Sequence, residues 1–299
     1  MTTAEQVVVR SLRSTVFDYL ALTKPRVMSL LLVTALTGLV LASRGFPGAG
    51  LVLAVLGGGA LASGGASALN HWYEDDLDRR MGRTKRRPVA SGRMRPVNAL
   101  VFGLVLNALA FAVLATWATL LAAGLAMAGT AVYFLVYTMW LKRSTTQNIV
   151  IGGAAGAIPP LVGWAAATGS LALPAWYLFA IVFFWTPPHF WALAIVIKDD
   201  YARAGVPMMP VIEGEGPTRV AILLYSLLLS ALAVLFTAAD ASLGITYLIG
   251  ASLLSAAMVY YCLKLYRVGT KAAAWSMYRF SLIYLAALFV LVMVDGSVN

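Results

Sequence analysis

The sequence predicts an all-α membrane protein, a bundle of nine transmembrane helices. Of its 299 residues, 61% are hydrophobic and only 11% are charged, and this composition excludes an ordinary soluble domain. The apolar residues come in blocks of about 20, which is the length that a helix needs to cross a bilayer. Because backbone groups in lipid must form hydrogen bonds within their own segment, we expect every block to be helical.

Nine apolar blocks follow one another along the chain. We place the spans at residues 25–43, 49–70, 97–116, 119–140, 148–168, 174–197, 218–238, 243–263 and 275–295. Residues 1–23 mix acidic, basic and apolar side chains and lack the compact apolar core of a signal peptide. We therefore predict a cytoplasmic tail or an interfacial helix at 1–23, followed by one transmembrane domain at 24–299.

The distribution of lysine and arginine predicts the orientation of the bundle. If the N-terminus lies inside, nearly every cation falls in an inside segment, namely the tail, 71–96, 141–147, 198–217 and 264–274. Cytoplasmic loops carry such an excess of cations, so we predict that the N-terminus is inside and the C-terminus outside. The net charge of +10 then marks topology and an anionic substrate rather than nucleic acid.

A dense group of charges follows the second span. Four carboxylates lie beside six cations in the stretch 70–88. Asn70, Glu74 and Asp78 are four residues apart, so a continuing helix would place them within about 80° of one another. Oxygen ligands of this kind suit Mg²⁺, which typically binds a few carboxylates together with substrate phosphates.

The cations downstream of that stripe would meet the phosphate oxygens that such a metal leaves uncovered. The sequence therefore predicts a metal–diphosphate site at the membrane surface. The alternative interpretation is a solvated juxtamembrane loop whose basic half only fixes topology. That alternative does not account for an asparagine and two carboxylates in helical register.

A second acidic pair lies at the inside end of the sixth span. Asp199 and Asp200 follow Lys198, and Arg203 comes three residues later. Because both acidic clusters end even-numbered spans, we predict a quasi-repeated bundle whose two acidic edges face one pocket. Two metal ions would then hold one diphosphate from opposite sides. The alternative is the end of a helix followed by loop charges, and for Asp200 alone we favour that alternative.

His189 stands among aromatic residues, about two turns inside the membrane from Lys198. An ionisable group at membrane depth is a functional candidate, and imidazole is a common ligand of haem iron. A lone histidine among aromatic residues is also often a hydrogen-bonded structural residue, so both interpretations remain open. His71, which we expect at the water edge, is assigned no role.

These residues resemble the UbiA superfamily of intramembrane prenyltransferases over essentially the whole chain, from Thr23 to Asp295. The matching motifs are Asn70-x3-Glu74-x3-Asp78, Met81-x-Arg83-Thr84-x2-Arg87-Pro88, Thr23-Lys24-Pro25-Arg26 and Lys198-Asp199-Asp200-Tyr201-x2-Ala204-Gly205-x-Pro207-Met208-x-Pro210-Val211. Pro188-His189-Phe190-Trp191 and the run from Asp200 to Met208 are most similar to the protoheme IX farnesyltransferase (haem O synthase) branch. Glu74 departs from the pattern, because the superfamily usually has Asp there, and its longer arm loosens the expected metal geometry.

The resemblance implies a fold and a reaction. The fold is a nine-helix bundle in a bacterial plasma membrane, around a central cavity that opens to the cytoplasmic side. The reaction transfers a farnesyl group from farnesyl diphosphate to a vinyl group of haem B, which yields haem O and diphosphate, with Mg²⁺ as cofactor. We keep a downstream haem A synthase as a candidate partner.

The resemblance also implies roles for individual residues. The carboxylate and amide side chains implied in catalysis are Asn70, Glu74, Asp78, Asp199 and Asp200, and all but the last are the expected metal ligands. The cations expected to clamp the diphosphate are Arg26, Arg83, Arg87 and Lys198. The residue expected to bind haem is His189.

Two other functions are compatible with parts of the sequence. A prenyltransferase of the same superfamily that acts on an aromatic acceptor, such as a quinone precursor, would share the first motif. A secondary transporter would place ionisable residues near the bilayer midplane. Here the carboxylates lie at the inside ends of the spans, which argues against transport.

Overall fold

The computed structural model describes residues 12–298. Its first helix, α1, is Leu12–Leu22, so residues 1–11 of the predicted tail or interfacial helix lie outside the described residues. Along α1 the apolar side chains of Leu12, Val16, Phe17 and Leu20 are exposed. Exposed apolar residues are expected of a helix that lies in a membrane interface, and this assignment stays a prediction.

Nine helices within residues 12–298 are long and apolar enough to cross a membrane, which confirms the predicted all-α bundle with nine spans. The helices that follow α1 are α2 Pro25–Ser43, α3 Ala49–Tyr73, α4 Asp75–Arg80, α5 Pro96–Trp117, α6 Leu120–Ala131, α7 Lys142–Ser144, α8 Asn148–Thr168, α9 Leu173–Val196, α10 Lys198–Ala204, α11 Met209–Ile212, α12 Glu215–Ala239, α13 Ile245–Val268 and α14 Lys271–Val298. Of these, α4, α10 and α11 are short helices in the charged loops, and the fourth span runs from α6 through α7, over Leu120–Ser144. The central cavity and the orientation of the termini stay predictions.

Several helices extend beyond their predicted spans at the charged end of the bundle. Helix α3 continues past position 70 to Tyr73, the fourth span continues to Ser144, and the ninth begins at Lys271. The predicted spans stop where polar side chains begin, whereas backbone hydrogen bonding does not depend on the polarity of the side chains. The first polar residues of these loops are therefore held in helical geometry.

Helices α2 and α8 touch through their backbones. A Cβ atom at Gly163 would overlap the carbonyl oxygen of Ala35, and one at Gly38 would overlap that of Pro160. Small residues let helices in lipid approach this closely. Helix α8 also packs against α9 and α6, so it lies inside the bundle.

The fourth span contains a π-helical segment, Val132–Leu141, that the apolar pattern does not predict. A π-helical turn shifts the register of the residues that follow it, and such turns often occur at functional sites. Thr138 of this segment is buried and accepts a hydrogen bond from Nδ2 of Asn70 at 3.2 Å. The π-helical segment is therefore tied to α3 where the first motif begins.

Two acidic side chains join the loops at the end of the bundle opposite the charged motifs. Buried Asp240 accepts hydrogen bonds from Arg44 at 2.8 Å and from both the amide and the hydroxyl of Ser242. Asp295, near the end of α14, accepts a hydrogen bond from the amide of Gly244 at 2.5 Å. Because Gly244 directly precedes α13, this carboxylate lies at a helix N-terminus, where negative charge is favourable.

Candidate active site

The stripe of the first motif forms as one buried face. Helical hydrogen bonding continues across the junction of α3 and α4, since the amide of Glu74 donates to Asn70 at 2.9 Å and that of Asp78 donates to Glu74 at 2.8 Å. The exposed fractions of Asn70, Glu74 and Asp78 are 2%, 1% and 3%. Buried charges need partners, and each of these side chains has one.

Three cations from separate parts of the chain meet the stripe. Nζ of Lys142 lies 2.5 Å from both carboxylate oxygens of Glu74. Nη1 of Arg87 donates to both oxygens of Asp78 at 2.8 Å. The third cation, Lys24, donates from Nζ to Oδ1 of Asn70 at 3.1 Å.

Lys24 and Lys142 are members of this cluster that the sequence reasoning did not select. Lys24 adopts a left-handed backbone conformation, with φ at 49°, directly before α2. Burial lowers the pKa of its ammonium to about 7, an effect increased by the positive charges of Arg87 and Lys142 and opposed by the carboxylate of Glu74. Lys24 belongs to the motif Thr23-Lys24-Pro25-Arg26, in which the phosphate role is predicted for Arg26, and Lys142 lies in the predicted inside segment 141–147.

The other cations predicted to clamp the diphosphate lie outside this buried cluster. The side chains of Arg26 and Arg83 are exposed. Lys198 forms an ion pair with Glu215 at 3.5 Å. Of the four predicted phosphate ligands, the structure thus brings Arg87 alone into contact with the acidic stripe.

The second acidic pair lies in the short helix α10, and its two carboxylates differ in their surroundings. The side chain of Asp199 is 72% exposed and pairs with Lys271 of α14 at 3.2 Å. The side chain of Asp200 is 18% exposed and pairs with Arg203. A Cβ atom at Gly82, in the loop after α4, would lie 3.5 Å from Oδ1 of Asp200. The structure therefore brings Asp200 next to the first motif, while Asp199 lies at the exposed edge.

The side chains of the first motif fit Mg²⁺ in chemical type. Amide and carboxylate oxygens are the ligands that this ion prefers, and Asn70, Glu74 and Asp78 supply them within one buried stripe. Within residues 12–298 no group of three His, Cys, Asp or Glu side chains converges on one point. An ion at this site would therefore need further oxygen ligands from a substrate or from water.

The prediction that His71 lies at the water edge is wrong. This residue is 1% exposed, and neither ring nitrogen has a hydrogen-bond partner in the described protein. The hydroxyl of Ser67, one turn earlier in α3, is likewise buried without a partner. An unpaired buried polar group costs about 1–3 kcal/mol, so this face of α3 carries hydrogen-bonding capacity that the fold does not use.

His189 lies in α9 and is enclosed by aromatic rings. Its exposed fraction is 5%. The imidazole stacks on Trp185 and Tyr278, with ring centroids 4.3 Å and 4.7 Å apart. Its Nδ1 lies 2.7 Å from Oγ of Ser281 in α14. The residue is both buried and hydrogen-bonded, which is compatible with each of the two roles left open above.

Comparison with known proteins identifies the family of this chain. Residues 31–289 match the UbiA prenyltransferase family. Protoheme IX farnesyltransferase of Roseiflexus castenholzii is 52% identical over 281 residues, which are 94% of this chain and 52% of that protein. The enzyme of the same name from Symbiobacterium thermophilum is 51% identical over 280 residues, which are 93% of each protein. The chain thus spans about half the length of the first relative and almost all of the second.

Solved structures share the fold at low sequence identity. A structure of digeranylgeranylglyceryl phosphate synthase superimposes with a TM-score of 0.79 at 17% identity, covering 96% of this chain and 100% of that one. A UbiA homologue from Archaeoglobus fulgidus, bound to GPP and Mg²⁺, superimposes with a TM-score of 0.67 at 15% identity and covers 92% and 99%. The chain belongs to the UbiA prenyltransferase family.

Proposed function

We propose that this chain transfers a farnesyl group from farnesyl diphosphate to a vinyl group of haem B, which yields haem O and diphosphate. The relatives that are about half identical in sequence carry the name of that activity. The observation that carries the proposal is the buried stripe of Asn70, Glu74 and Asp78, faced by three cations. Such a pairing of oxygen ligands with cations suits a metal-bound diphosphate.

The stripe and its cations would divide the work at the diphosphate. Asn70, Glu74 and Asp78 would hold Mg²⁺, and bound Mg²⁺ supplies Lewis-acid stabilisation of the departing diphosphate. Lys142 and Arg87 already contact the carboxylates that would bind the metal. Once substrate binds, each of these cations can pair with a phosphate oxygen instead, so neither sign of charge is left uncompensated.

Of the second acidic pair, Asp200 is the carboxylate that we assign to the same site. Its side chain lies beside Gly82, close to the first motif, whereas Asp199 is exposed and bound to Lys271. From this position Asp200 would approach the diphosphate from the side opposite the stripe. Arg203, which pairs with Asp200, would then be available for the phosphate oxygens.

The acceptor chemistry needs an enclosed apolar site rather than a strong base. When diphosphate leaves, the allylic farnesyl cation requires surroundings that exclude bulk water. A vinyl carbon of haem B forms a bond to this cation, and the positive charge moves to the neighbouring vinyl carbon. Water captures that carbon and loses a proton, which leaves a hydroxyethylfarnesyl group. His189, deep in α9, is our candidate for binding the haem.

The location follows from the reaction and from the loop charges. We place the chain in a bacterial plasma membrane, with the metal–diphosphate site and the N-terminus on the cytoplasmic side. The predicted inside segments hold nearly every lysine and arginine. A cavity opening to the cytoplasm would admit the diphosphate from that side, and the farnesyl tail would lie in the apolar interior.

The test is incubation of membranes that contain the chain with haem B, farnesyl diphosphate and Mg²⁺, followed by mass spectrometry of the extracted porphyrins. We expect the mass of haem O, its loss on addition of EDTA, and a decrease of at least about 100-fold in Asp78→Asn, because one metal ligand loses its charge. Prenylation of an added quinone precursor but not of the porphyrin would instead support an aromatic acceptor.

A further inference from the structure

Ser281 contacts both His189 and Trp185, which stacks on His189. Its hydroxyl oxygen lies 2.7 Å from Nδ1 of the imidazole. Its carbonyl oxygen accepts a hydrogen bond from Nε1 of Trp185 at 2.7 Å, and the indole of Trp185 stacks on the imidazole. One residue of α14 therefore fixes both the imidazole of α9 and one of the rings between which it is held.

The hydroxyl of Ser281 has two close neighbours but only one proton to donate. Besides Nδ1 of His189, it lies 2.7 Å from the carbonyl oxygen of Tyr278, which can only accept a hydrogen bond. Both contacts are satisfied together when the hydroxyl donates to Tyr278 and Nδ1–H of His189 donates to the hydroxyl. A neutral imidazole with its proton on Nδ1 carries a free electron pair on Nε2.

The other ring nitrogen of His189 has hydrogen-bonding capacity that residues 12–298 do not use. Nε2 has no hydrogen-bond partner in residues 12–298, and, unlike the ring nitrogens of His71, it is not among the fully enclosed polar atoms. Histidines that bind metals usually donate their second ring N–H to an oxygen, which fixes the tautomer and the direction of the ring. The contacts of His189 have this form.

We propose that Ser281 is a positioning residue, which holds His189 in the tautomer whose Nε2 binds the iron of haem B. This inference rests on the proposed function, since haem B is the proposed acceptor. A single axial bond would fix the height of the porphyrin in the bundle. The stacked rings of Trp185 and Tyr278 would prevent rotation of the imidazole, so that the bond from Nε2 to the iron keeps one direction in every turnover.

The experiment titrates haem B into the purified full chain and records the absorption spectrum and the resonance Raman band of the iron–imidazole bond. Ser281→Ala removes the acceptor of Nδ1–H but keeps the carbonyl that holds Trp185. The matched control is Ser276→Ala, on the same helix, because the hydroxyl of Ser276 bonds to the carbonyl of Ala272 at 3.0 Å instead.

We expect Ser281→Ala to weaken haem binding by about tenfold or more, the usual effect of losing a partner of a metal-bound histidine. It should also shift the iron–imidazole band, while Ser281→Thr, which keeps a hydroxyl, restores both properties. His189→Ala should lose the band, and added free imidazole should bring it back. Ser276→Ala should match the original chain in affinity and in spectrum.

Two results would overturn the inference while leaving the proposed function intact. One is an unchanged iron–imidazole band in His189→Ala, and the other is a spectrum of Ser281→Ala that matches that of Ser276→Ala, in a chain that still prenylates haem. If the original chain neither binds haem B nor yields a prenylated porphyrin, the proposed function fails together with this inference.

Discussion

Each oxygen-bearing side chain of the first motif has a cation of its own, drawn from a different part of the chain. Glu74 is paired with Lys142 at the end of the fourth span, and Asp78 is paired with Arg87 in the loop after α4. Removing one partner of a buried pair leaves the other charge uncompensated, which costs more than removing both. A substitution that changes the charge of one of these residues is therefore expected to change the stability of the fold as well.

The pair of Glu74 and Lys142 can be tested by a double-mutant cycle in detergent. Lys142→Met should destabilise the chain by about 3–5 kcal/mol, because it leaves a buried carboxylate alone. Combining it with Glu74→Gln should restore most of that loss in thermal unfolding. The control is Arg79→Met, which breaks an exposed pair with Asp75 and should cost about 0–1 kcal/mol. Additive effects of the two buried substitutions would contradict the coupling.

Substitutions of Lys24 and Arg26 can be compared to find which of the two side chains binds the diphosphate. We expect Lys24→Ala to raise the KM for farnesyl diphosphate by roughly 10- to 100-fold, the equivalent of one lost hydrogen bond to a charged group. Arg26→Ala should change it much less, since the Arg26 side chain is exposed. Initial rates over a range of farnesyl diphosphate concentrations would measure both. A larger effect of Arg26→Ala would return the role to the residue that the sequence reasoning chose.

The sequence predicted the oxygen side of this site better than the cation side. The spacing of Asn70, Glu74 and Asp78 was enough to place them on one face, because a helix has a fixed repeat. No such rule places Lys142, which reaches Glu74 across 68 residues of chain. Contacts between distant segments depend on the packing of whole helices, so a lysine at a span end cannot be told from a topology signal.

At the scale of the element, the contact of α2 with α8 depends on the absence of two side chains. Gly163→Ala should strongly destabilise the bundle, since its methyl group would overlap the backbone of Ala35 and force the helices apart. The control is Gly156→Ala in the same helix, where a Cβ would meet no atom within 4 Å. Thermal unfolding in detergent would compare the two variants. Equal stability would mean that the helices can separate without loss.

Hydropathy placed the nine spans but could not predict how the fourth is wound. The residues of Val132–Leu141 are as apolar as those of an ordinary α-helical span. This segment contains Thr138, which bonds to Asn70, and it ends directly before Lys142, which pairs with Glu74. Hydropathy tests only whether an apolar block is long enough to cross the bilayer. The hydrogen-bond register within the helix depends on the helices packed against it. The predicted span ends differ from the observed helix ends for a related reason. Polarity marks where the apolar residues stop, whereas the helix continues until its backbone hydrogen bonding stops.

At the scale of the whole molecule, two charged edges from the two halves of the chain meet through α4 and α10. Asp200 lies at this junction and Asp199 lies beside it, exposed. We expect Asp200→Asn to lower prenyl transfer by about 100-fold, while Asp199→Asn lowers it by less than about tenfold. Both are measured as product formed per milligram of membrane. The reverse order would make Asp199 the metal ligand, as the sequence analysis had it.

The orientation of the bundle is open to a direct measurement. Alkaline phosphatase fused after Asp295 should be active in a bacterial host, because the C-terminus is predicted to lie outside, while green fluorescent protein at the same position should stay dark. The same pair of fusions after Arg95 should give the opposite result, since segment 71–96 is predicted to lie inside. Fluorescence at the C-terminal position would reverse the assignment.

The ninth span, α14, makes contacts along its whole length. Lys271 at its start binds Asp199, Ser281 in its middle contacts His189, and Asp295 near its end binds the start of α13. Of the nine spans within residues 12–298, α14 is the last to leave the ribosome during synthesis. Until α14 has inserted, a nascent chain would therefore lack the contact of Ser281 with His189 and that of Asp295 with Gly244. The three contacts of α14 would then form only after this helix has inserted, so the fold is completed at both ends of the bundle by one late step.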